Sequence, residues 1–285
     1  MFVRHGNIWI ADTYGMGARQ LTTSGQDRQP ALSPDGRWVA YTSGWGTDSG
    51  FGQIFLIPAD GGEVQAFRPL GMAGAESPGF SPDGKSLVFV GLSHLIVEKT
   101  SGDDQARATM SVSLADLNGG PVTQIVSNPD TILDFGYIYG APVLSPDGRL
   151  VAYQESGSDV SGGFVVLNLK GERLFRFPTE SDVATPFWRP RFSPDGQEIL
   201  CYSPAITEGK ADFIYLVNLV NGQIKKVTEG ARPTYVEGGK AIVFERRPSE
   251  LGRIEAGAGS SDLWRLELNP GARPRKILLD GQQPG

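Results

Sequence analysis

The sequence predicts an all-β fold, a six-bladed β-propeller of four-stranded antiparallel blades. A proline stands three residues before each of four SPDG tetrapeptides, and short apolar runs flank every copy. Pro, Asp and Gly in this order are typical of a tight turn, so each copy predicts a β-hairpin that recurs within a larger unit. The four copies begin at Ser33, Ser81, Ser145 and Ser193.

The prolines set the number of repeats. Pro233 begins a fifth unit whose turn has changed to Glu237-Gly238-Gly239, and Pro284 marks a sixth. Units of about 40 to 50 residues with four strands each are typical of propeller blades. We therefore predict one propeller domain over residues 1–285, with blades that start near Pro30, Pro78, Pro142, Pro190 and Pro233.

The first complete unit shows how a blade divides into strands. Strand a is predicted at residues 30–33, strand b at 38–43, strand c at 53–58 and strand d at 63–67. The last two strands are joined by Asp60-Gly61-Gly62, which is a hairpin signal of the Asp-Gly type. The predicted strands are rich in β-branched and aromatic residues and have no helical period.

The two ends of the chain are predicted to meet in one blade. Phe2–Arg4, Asn7–Ile10 and Arg19–Thr22 match strands b, c and d of a blade that has no strand a. Residues 281–285 resemble the missing strand. We therefore expect a closing blade made of residues 1–23 together with about 281–285, and we expect the chain to be a trimmed part of a longer protein.

Composition and charge disfavour several classes of protein. The formal net charge is −6, whereas nucleic-acid binding needs a concentrated basic surface. No run of about 18 apolar residues occurs, so we predict no membrane insertion by this segment, and no signal sequence opens the chain. Cys201 is the single cysteine, so no internal disulfide is expected.

Enzyme signatures are sparse in the sequence. The two histidines, His5 and His94, do not occupy equivalent repeat positions, and no GxSxG nucleophile motif is present. The repeated SPDG aspartates belong to turns that lie far apart around one rim. We therefore predict no catalytic residues, no bound metal and no cofactor.

The repeat pattern resembles that of the TolB-like, WD40-like propellers. The matching residues are Gln29–Gly36, which contain the proline and the SPDG turn, together with strand c at Gln53–Leu56. The resemblance covers nearly the whole chain, except for the changed fifth turn, the incomplete first blade and a longer second repeat. It implies a six-bladed fold and a periplasmic or extracellular scaffold that binds envelope proteins. It carries no catalytic motif, because the shared residues are those of the turns.

Loop length distinguishes the two faces of the predicted propeller. The a–b and c–d turns are tight and share one face, whereas the b–c and d–a connections are long and share the other. Long loops on a rigid scaffold commonly carry function, and aromatic residues and Arg dominate interface hot spots. The alternative is that these aromatics cover blade edges and the charges solvate the rim. The predicted binding residues at this face and the channel mouth are Arg28, Trp45, Glu76, Asp134, Tyr137, Tyr139, Trp188, Arg189 and Arg232.

The second repeat contains extra residues at 92–109. His94–Glu98 would extend strand b, and Ser101–Asp104 would form a turn. We expect a hairpin that projects from the binding face; a disordered insert is the alternative.

These features favour a non-catalytic module that binds a protein or peptide. One alternative is a propeller hydrolase or lyase with a metal held by channel carboxylates, for which Glu76 and Asp134 are the candidates. Another is a sensory domain of a larger membrane-anchored protein. The identity of the partner, the compartment and the oligomeric state stay open at this point.

Overall fold

The computed structural model describes residues 1–44, 51–98, 105–132, 138–157, 160–177, 186–205, 211–246 and 262–277. Twenty-three strands in these ranges form six antiparallel sheets, and one 3-10 turn at Glu237–Gly239 is the only helical element there. The predicted all-β, six-bladed propeller is therefore confirmed. Among these residues no helix is long and apolar enough to cross a membrane.

Each sheet is one blade, and its strands follow one another in the chain. The N-terminal blade has three described strands, β1 (Phe2–Arg4), β2 (Asn7–Ile10) and β3 (Arg19–Gln20). The next two blades are β4 (Arg28–Leu32), β5 (Trp38–Ser43), β6 (Gln53–Pro58), β7 (Gln65–Phe67) and β8 (Gly74–Phe80), β9 (Ser86–Glu98), β10 (Gln105–Asp116), β11 (Thr123–Ile132). The last three are β12 (Ile138–Leu144), β13 (Leu150–Gly157), β14 (Val160–Asn168), β15 (Arg173–Phe177); β16 (Trp188–Phe192), β17 (Glu198–Ser203), β18 (Phe213–Asn218), β19 (Ile224–Glu229); and β20 (Ala231–Val236), β21 (Ala241–Arg246), β22 (Asp262–Glu267), β23 (Arg275–Lys276).

The first strand of each four-stranded blade lies at the centre of the molecule. Strands β4, β8, β12, β16 and β20 contact one another in succession, and β1 contacts β4. These innermost strands therefore surround the channel. Five apolar clusters lie between neighbouring blades, since alternate residues of every strand face one neighbour or the other. The side chains of Phe89, Tyr153, Phe164 and Phe244 are fully buried there.

The SPDG turns are held by a repeated set of hydrogen bonds. In the second copy, the Ser81 hydroxyl donates to Asp83 Oδ1 at 2.6 Å and accepts from the Ser86 amide at 2.9 Å. The Lys85 amide donates to Asp83 Oδ1, and the Gly84 amide donates to the Ser81 carbonyl oxygen. The other three copies repeat this pattern, so the hairpins predicted from the tetrapeptide are confirmed.

The turns also contact one another around the channel. A Cβ placed on Gly84 would lie 3.7 Å from Pro34 of the preceding blade, and Gly148 has the same relation to Pro82. Gly239, in the changed fifth turn, lies against Pro194. The turn prolines Pro34, Pro82 and Pro194 therefore pack on the turn glycine of the next blade, and only at Gly239 would a Cβ come too close, at 2.9 Å.

The N-terminal blade contacts both of its neighbours. Beside β4 it packs through the cluster that contains Ile8. On its other side, Arg265 lies 4.7 Å from the Tyr14 ring, and Thr13 donates to Glu237 at 3.1 Å. The C-terminal strand predicted at residues 281–285 lies outside the described residues, so its place in the closing blade stays a prediction.

The β8–β11 blade, which is the second complete repeat, has the projecting hairpin that was expected within residues 92–109. Strands β9 and β10 pair without interruption from Ser86↔Asp116 to Ser93↔Thr109 and, beyond a bulge, to Glu98↔Gln105. Residues 138–140 belong to β12 and residues 160–162 to β14, although both were predicted as loops. Part of the elaboration of this face is therefore longer strands rather than longer loops.

Candidate functional site

Every innermost strand of the four-stranded blades contains a β-bulge at the same place. In β4 the register shifts by one residue between Arg28 and Ala31, and the other four strands shift at the equivalent position. The first bulge residue, which directly precedes the strand proline, has a left-handed backbone with φ between 46° and 55°. These residues are Gln29, Ser77, Ala141, Arg189 and Arg232.

A left-handed conformation is costly for residues other than Gly, and the position before a proline is normally extended. The first residue of such a bulge is usually a Gly. Here five different blades use Gln, Ser, Ala or Arg instead. The bulge recurs in all five four-stranded blades and is therefore a feature of the fold. The side chain at the bulge position is what differs from blade to blade.

Two arginines and a glutamate come together where the last two four-stranded blades meet. Arg232 Nη1 lies 2.9 Å from Glu245 Oε2, and Arg232 also interacts with Tyr202. Arg189, at the equivalent bulge of β16, interacts with Arg232 and Glu245. Arg191 donates through Nη1 to the Pro190 carbonyl oxygen at 3.0 Å.

Burial and the repulsion between like charges both lower the pKa values of Arg189 and Arg191. Burial, and then the Arg232 charge, lower the pKa of Arg189. Burial and the Arg189 charge lower the pKa of Arg191 to about 10. Both side chains nevertheless stay partly accessible to solvent. Side chains that are surrounded by protein and still reached by water are typical of residues that line a channel.

A second polar group lies between the N-terminal blade and the next two blades. Arg28 interacts with Glu76 and Asp27, and burial lowers the pKa of Arg28 against the opposing effect of these carboxylates. Glu76 is 7% exposed and Asp27 is 2% exposed. Burial, followed by the Asp27 charge, raises the pKa of Tyr41 to about 12.

The bulge residue of one blade is held by the blade before it. The Ser77 amide donates to Thr42 Oγ1 at 3.0 Å and to Gln29 Oε1 at 3.2 Å. Thr42 lies opposite Arg28 in the register, as Tyr202 lies opposite Trp188. In these two blades the second strand therefore supplies a side chain, Thr42 or Tyr202, that contacts the bulge residue of the next blade.

The predicted site residues divide into three groups. Arg28, Glu76, Arg189 and Arg232 lie in innermost strands, as expected for a channel mouth, although they form two separate polar groups. The aromatic residues Tyr139 and Trp188 pack inside the fold. The other three, Trp45, Asp134 and Tyr137, lie outside the described residues.

The prediction that Tyr139 stands in an exposed loop is wrong. Tyr139 belongs to β12, is 4% exposed, and packs edge-to-face on Tyr153 at 5.3 Å between ring centroids. Trp188 belongs to β16 and not to a loop; it meets Tyr202, and a Cβ on Gly162 of the preceding blade would lie 2.8 Å from its Nε1. For these two residues the alternative that aromatics cover blade edges describes the structure better, because period-two strands continue into the predicted loops.

Sequence reasoning missed Arg191, Tyr202 and Glu245. The sequence contained a signal for Tyr202 and Glu245. Tyr202 stands nine residues after Ser193, and Glu245 stands nine residues after Val236, and Ser193 and Val236 begin their turns. The residue nine positions after the start of the turn pairs with the residue that stands two positions before the proline of the innermost strand. The register pairs Glu245 with Ala231, so it could have placed Glu245 next to Arg232, the residue that follows Ala231.

Two clefts are formed by residues within the described ranges. One cleft of about 460 Å³ is lined by Arg37, Trp38 and Asp60 on the SPDG face. Another of about 320 Å³ lies beside the outer strand β7. No group of three His, Cys, Asp or Glu side chains suited to a metal occurs within the described residues.

Comparison with known sequences gives distant relatives and no matching family model. An uncharacterized protein of Agrobacterium fabrum is 31% identical over 153 residues, which is 50% of this chain and 47% of that protein. The Tol-Pal system protein TolB of Francisella tularensis is 26% identical over 123 residues, covering 41% of this chain and 23% of TolB. The chain thus spans less than half the length of these curated relatives.

Comparison with solved structures agrees on the fold. TolB from Acinetobacter baumannii matches with a TM-score of 0.65 at 20% identity, over 96% of this chain and 62% of TolB. A putative TolB from Agrobacterium tumefaciens has a TM-score of 0.64 at 15% identity, over 92% and 84% of the two chains. An oligogalacturonate lyase in complex with manganese has a TM-score of 0.57 at 16% identity, over 93% and 68%. The resemblance to TolB-like six-bladed propellers is therefore confirmed at the level of the fold.

Proposed function

We propose that this propeller is a non-catalytic module that binds a protein or peptide at the channel mouth remote from the SPDG turns. One observation carries the proposal: equivalent bulges in five innermost strands hold residues of different chemistry, and all of these residues except Ser77 stay partly accessible to solvent. A constant backbone with variable side chains suits recognition, because each blade contributes one contact to a shared surface. Strained backbone of this kind is common at binding sites.

The relatives support the same class of function. TolB of Francisella tularensis is named as a protein of the Tol-Pal system. We propose a similar scaffold role for this chain, in the periplasm or outside the cell.

The proposal is tested by site-specific photo-crosslinking in the producing cell. A benzoylphenylalanine at Ala141 would place the probe at a bulge, next to the channel. The same residue at Val220, which is 82% exposed in the turn between β18 and β19, is the matched control on the SPDG face. We expect a discrete crosslinked protein from position 141 and none from position 220. The reverse result would move the binding surface to the SPDG face and contradict the proposal.

The alternative of a metal-dependent lyase or hydrolase has little support. The manganese-bound lyase shares the fold at 16% identity. Of the two carboxylates nominated for a metal, Glu76 lies beside Arg28, and a guanidinium in that place competes with a cation for the carboxylate. No observation favours the sensory-domain alternative.

A further inference from the structure

Three arginines gather at the innermost strands of two neighbouring blades. Arg189 and Arg232 occupy the same bulge position of β16 and β20, which contact each other. Arg191 follows in β16, and its charge is opposed by that of Arg189. Arg232 opposes Arg189 in the same way. Like charges are thus held together at this side of the channel although they repel one another.

The negative charge within the described part of the chain does not balance them. Glu245 interacts with Arg232 and Arg189, and its ion pair, at 2.9 Å, is made with Arg232. Arg191 is satisfied in part by a carbonyl oxygen. No hydrogen bond or ion pair of the Arg189 guanidinium is found among the described residues, and part of this side chain is accessible to solvent. Among the described residues, three positive charges therefore meet one negative charge.

We infer that Arg189 and Arg232 form a carboxylate-binding subsite, and that its ligand is an acidic segment of an extended peptide or protein partner. A guanidinium presents planar paired donors that match a carboxylate, and two guanidinium groups that repel each other gain most when an anion enters between them. This inference rests on the proposed function, since it gives the chemistry of the partner at the same channel mouth. A nucleic acid fits less well, because the chain carries a net charge of −6.

The Glu245 carboxylate occupies part of the place that we infer for the carboxylate of the ligand. Its carboxylate already occupies Arg232, and its side chain is only 22% exposed. An incoming carboxylate must therefore share Arg232 with Glu245. Removing the Glu245 charge should tighten the binding of acidic peptides, whereas removing Arg189 should weaken it. Opposite effects of two neighbouring residues would not follow from a general loss of folding.

The test begins with a random peptide library selected against the full chain, followed by synthesis of the selected sequences. Each peptide is made with a free and with an amidated C-terminus, which distinguishes a terminal carboxylate from a side-chain carboxylate. Affinities are measured by fluorescence anisotropy for the wild type and for Arg189→Gln, Glu245→Gln and Arg37→Gln. Arg37 is the matched control, since it is an exposed arginine on the SPDG face. Thermal denaturation of each variant checks folding.

We expect selected peptides rich in Asp or Glu, or peptides that require the free C-terminus. Arg189→Gln should weaken their binding about ten-fold, Glu245→Gln should tighten it about three-fold, and Arg37→Gln should leave it unchanged. Peptides without acidic residues, or acidic peptides whose affinity is the same for Arg189→Gln, would overturn this inference and leave the proposed function standing. Failure to select any peptide would overturn both. Competition by inorganic phosphate at a concentration where acetate has no effect would overturn the choice of a carboxylate.

Discussion

At the scale of single residues, the position before each strand proline decides what the channel presents. Five residues other than Gly take a left-handed backbone there, with φ near 50°. The one-residue register shift that comes with it turns the side chain away from the sheet faces, which are filled by apolar packing between blades. Arg232 is exposed and Arg189 is half-buried, although both stand in strands that lie inside the molecule, whereas Ser77 at the equivalent position is buried.

Substitution by glycine measures the strain at this position. Ala141 has φ 46°, so Ala141→Gly should relieve a cost of about 1 kcal/mol and offset the entropy that glycine adds to the unfolded chain. We expect the free energy of unfolding in urea to stay the same or to rise by up to about 1 kcal/mol.

Ala31→Gly in the innermost strand β4 is the matched control, because Ala31 follows the proline and is not left-handed. This change should lower the free energy of unfolding by about 1 kcal/mol. Equal losses for the two variants would contradict the left-handed conformation of Ala141.

At the scale of elements, the SPDG hairpin is the stabilising unit of each blade. Its serine hydroxyl bridges the aspartate and the first amide of the second strand, and its proline packs on the turn of the next blade. The hydrogen bond from Ser81, followed by that from the Lys85 amide, holds the pKa of Asp83 below its ordinary value of 3.8. The aspartates of the other three copies are shifted in the same direction by the same causes.

These shifts predict how stability depends on pH. A carboxyl whose pKa is lower in the folded state stabilises the fold above the ordinary pKa, and this contribution is lost as pH falls through the folded pKa. Ser81→Ala removes the largest cause of the Asp83 shift and should lower the free energy of unfolding at pH 7 by about 1 kcal/mol.

Urea unfolding at several values from pH 7 to pH 2 checks the prediction. The difference between wild type and Ser81→Ala should be constant above pH 5 and should shrink below the ordinary pKa of 3.8. A difference that stays constant to pH 2 would show that the hydroxyl acts without the Asp83 charge.

At the scale of the whole molecule, a propeller is stable only if its first and last blades hold together. Arg265 in β22 is 7% exposed, and its Nη2 lies 2.8 Å from both Glu237 and Glu267. Its guanidinium also lies against the Tyr14 ring of the N-terminal blade. This group joins the β20–β23 blade to the N-terminal blade across the place where the ring closes.

Arg265→Met should therefore weaken the closure. We expect a loss of about 2 kcal/mol in the free energy of unfolding, since three hydrogen bonds to two charged partners and one cation–π contact disappear. Hydrogen exchange measured by mass spectrometry should increase first in β1, β2 and β22.

Lys276→Met is the control, because it breaks an ion pair of similar length, 2.9 Å to Asp262, that is exposed to water. Its loss should be below about 0.5 kcal/mol. A comparable loss for both variants, or exchange that increases evenly over all blades, would argue against a special role of Arg265 in closure.

The sequence alone determined the architecture of this protein. The SPDG turns, the prolines and the Gly-rich turns predicted six repeats, the hairpin positions and the projecting hairpin at β9 and β10. Strands β5 and β6 begin and end at the predicted residues. These features follow from turn chemistry and from the period-two pattern of strands, which act over a few neighbouring residues.

Only the tertiary structure decided which side chains are available for binding. Tyr139 and Trp188 were predicted as loop aromatics, but the strands extend further than expected and neighbouring blades cover both residues. Arg189 is far from Arg232 and Glu245 in the chain, and it meets them only because β16 and β20 are adjacent inner strands with equivalent bulges. Burial and charge pairing depend on the packing of one blade against the next, which local turn chemistry does not contain.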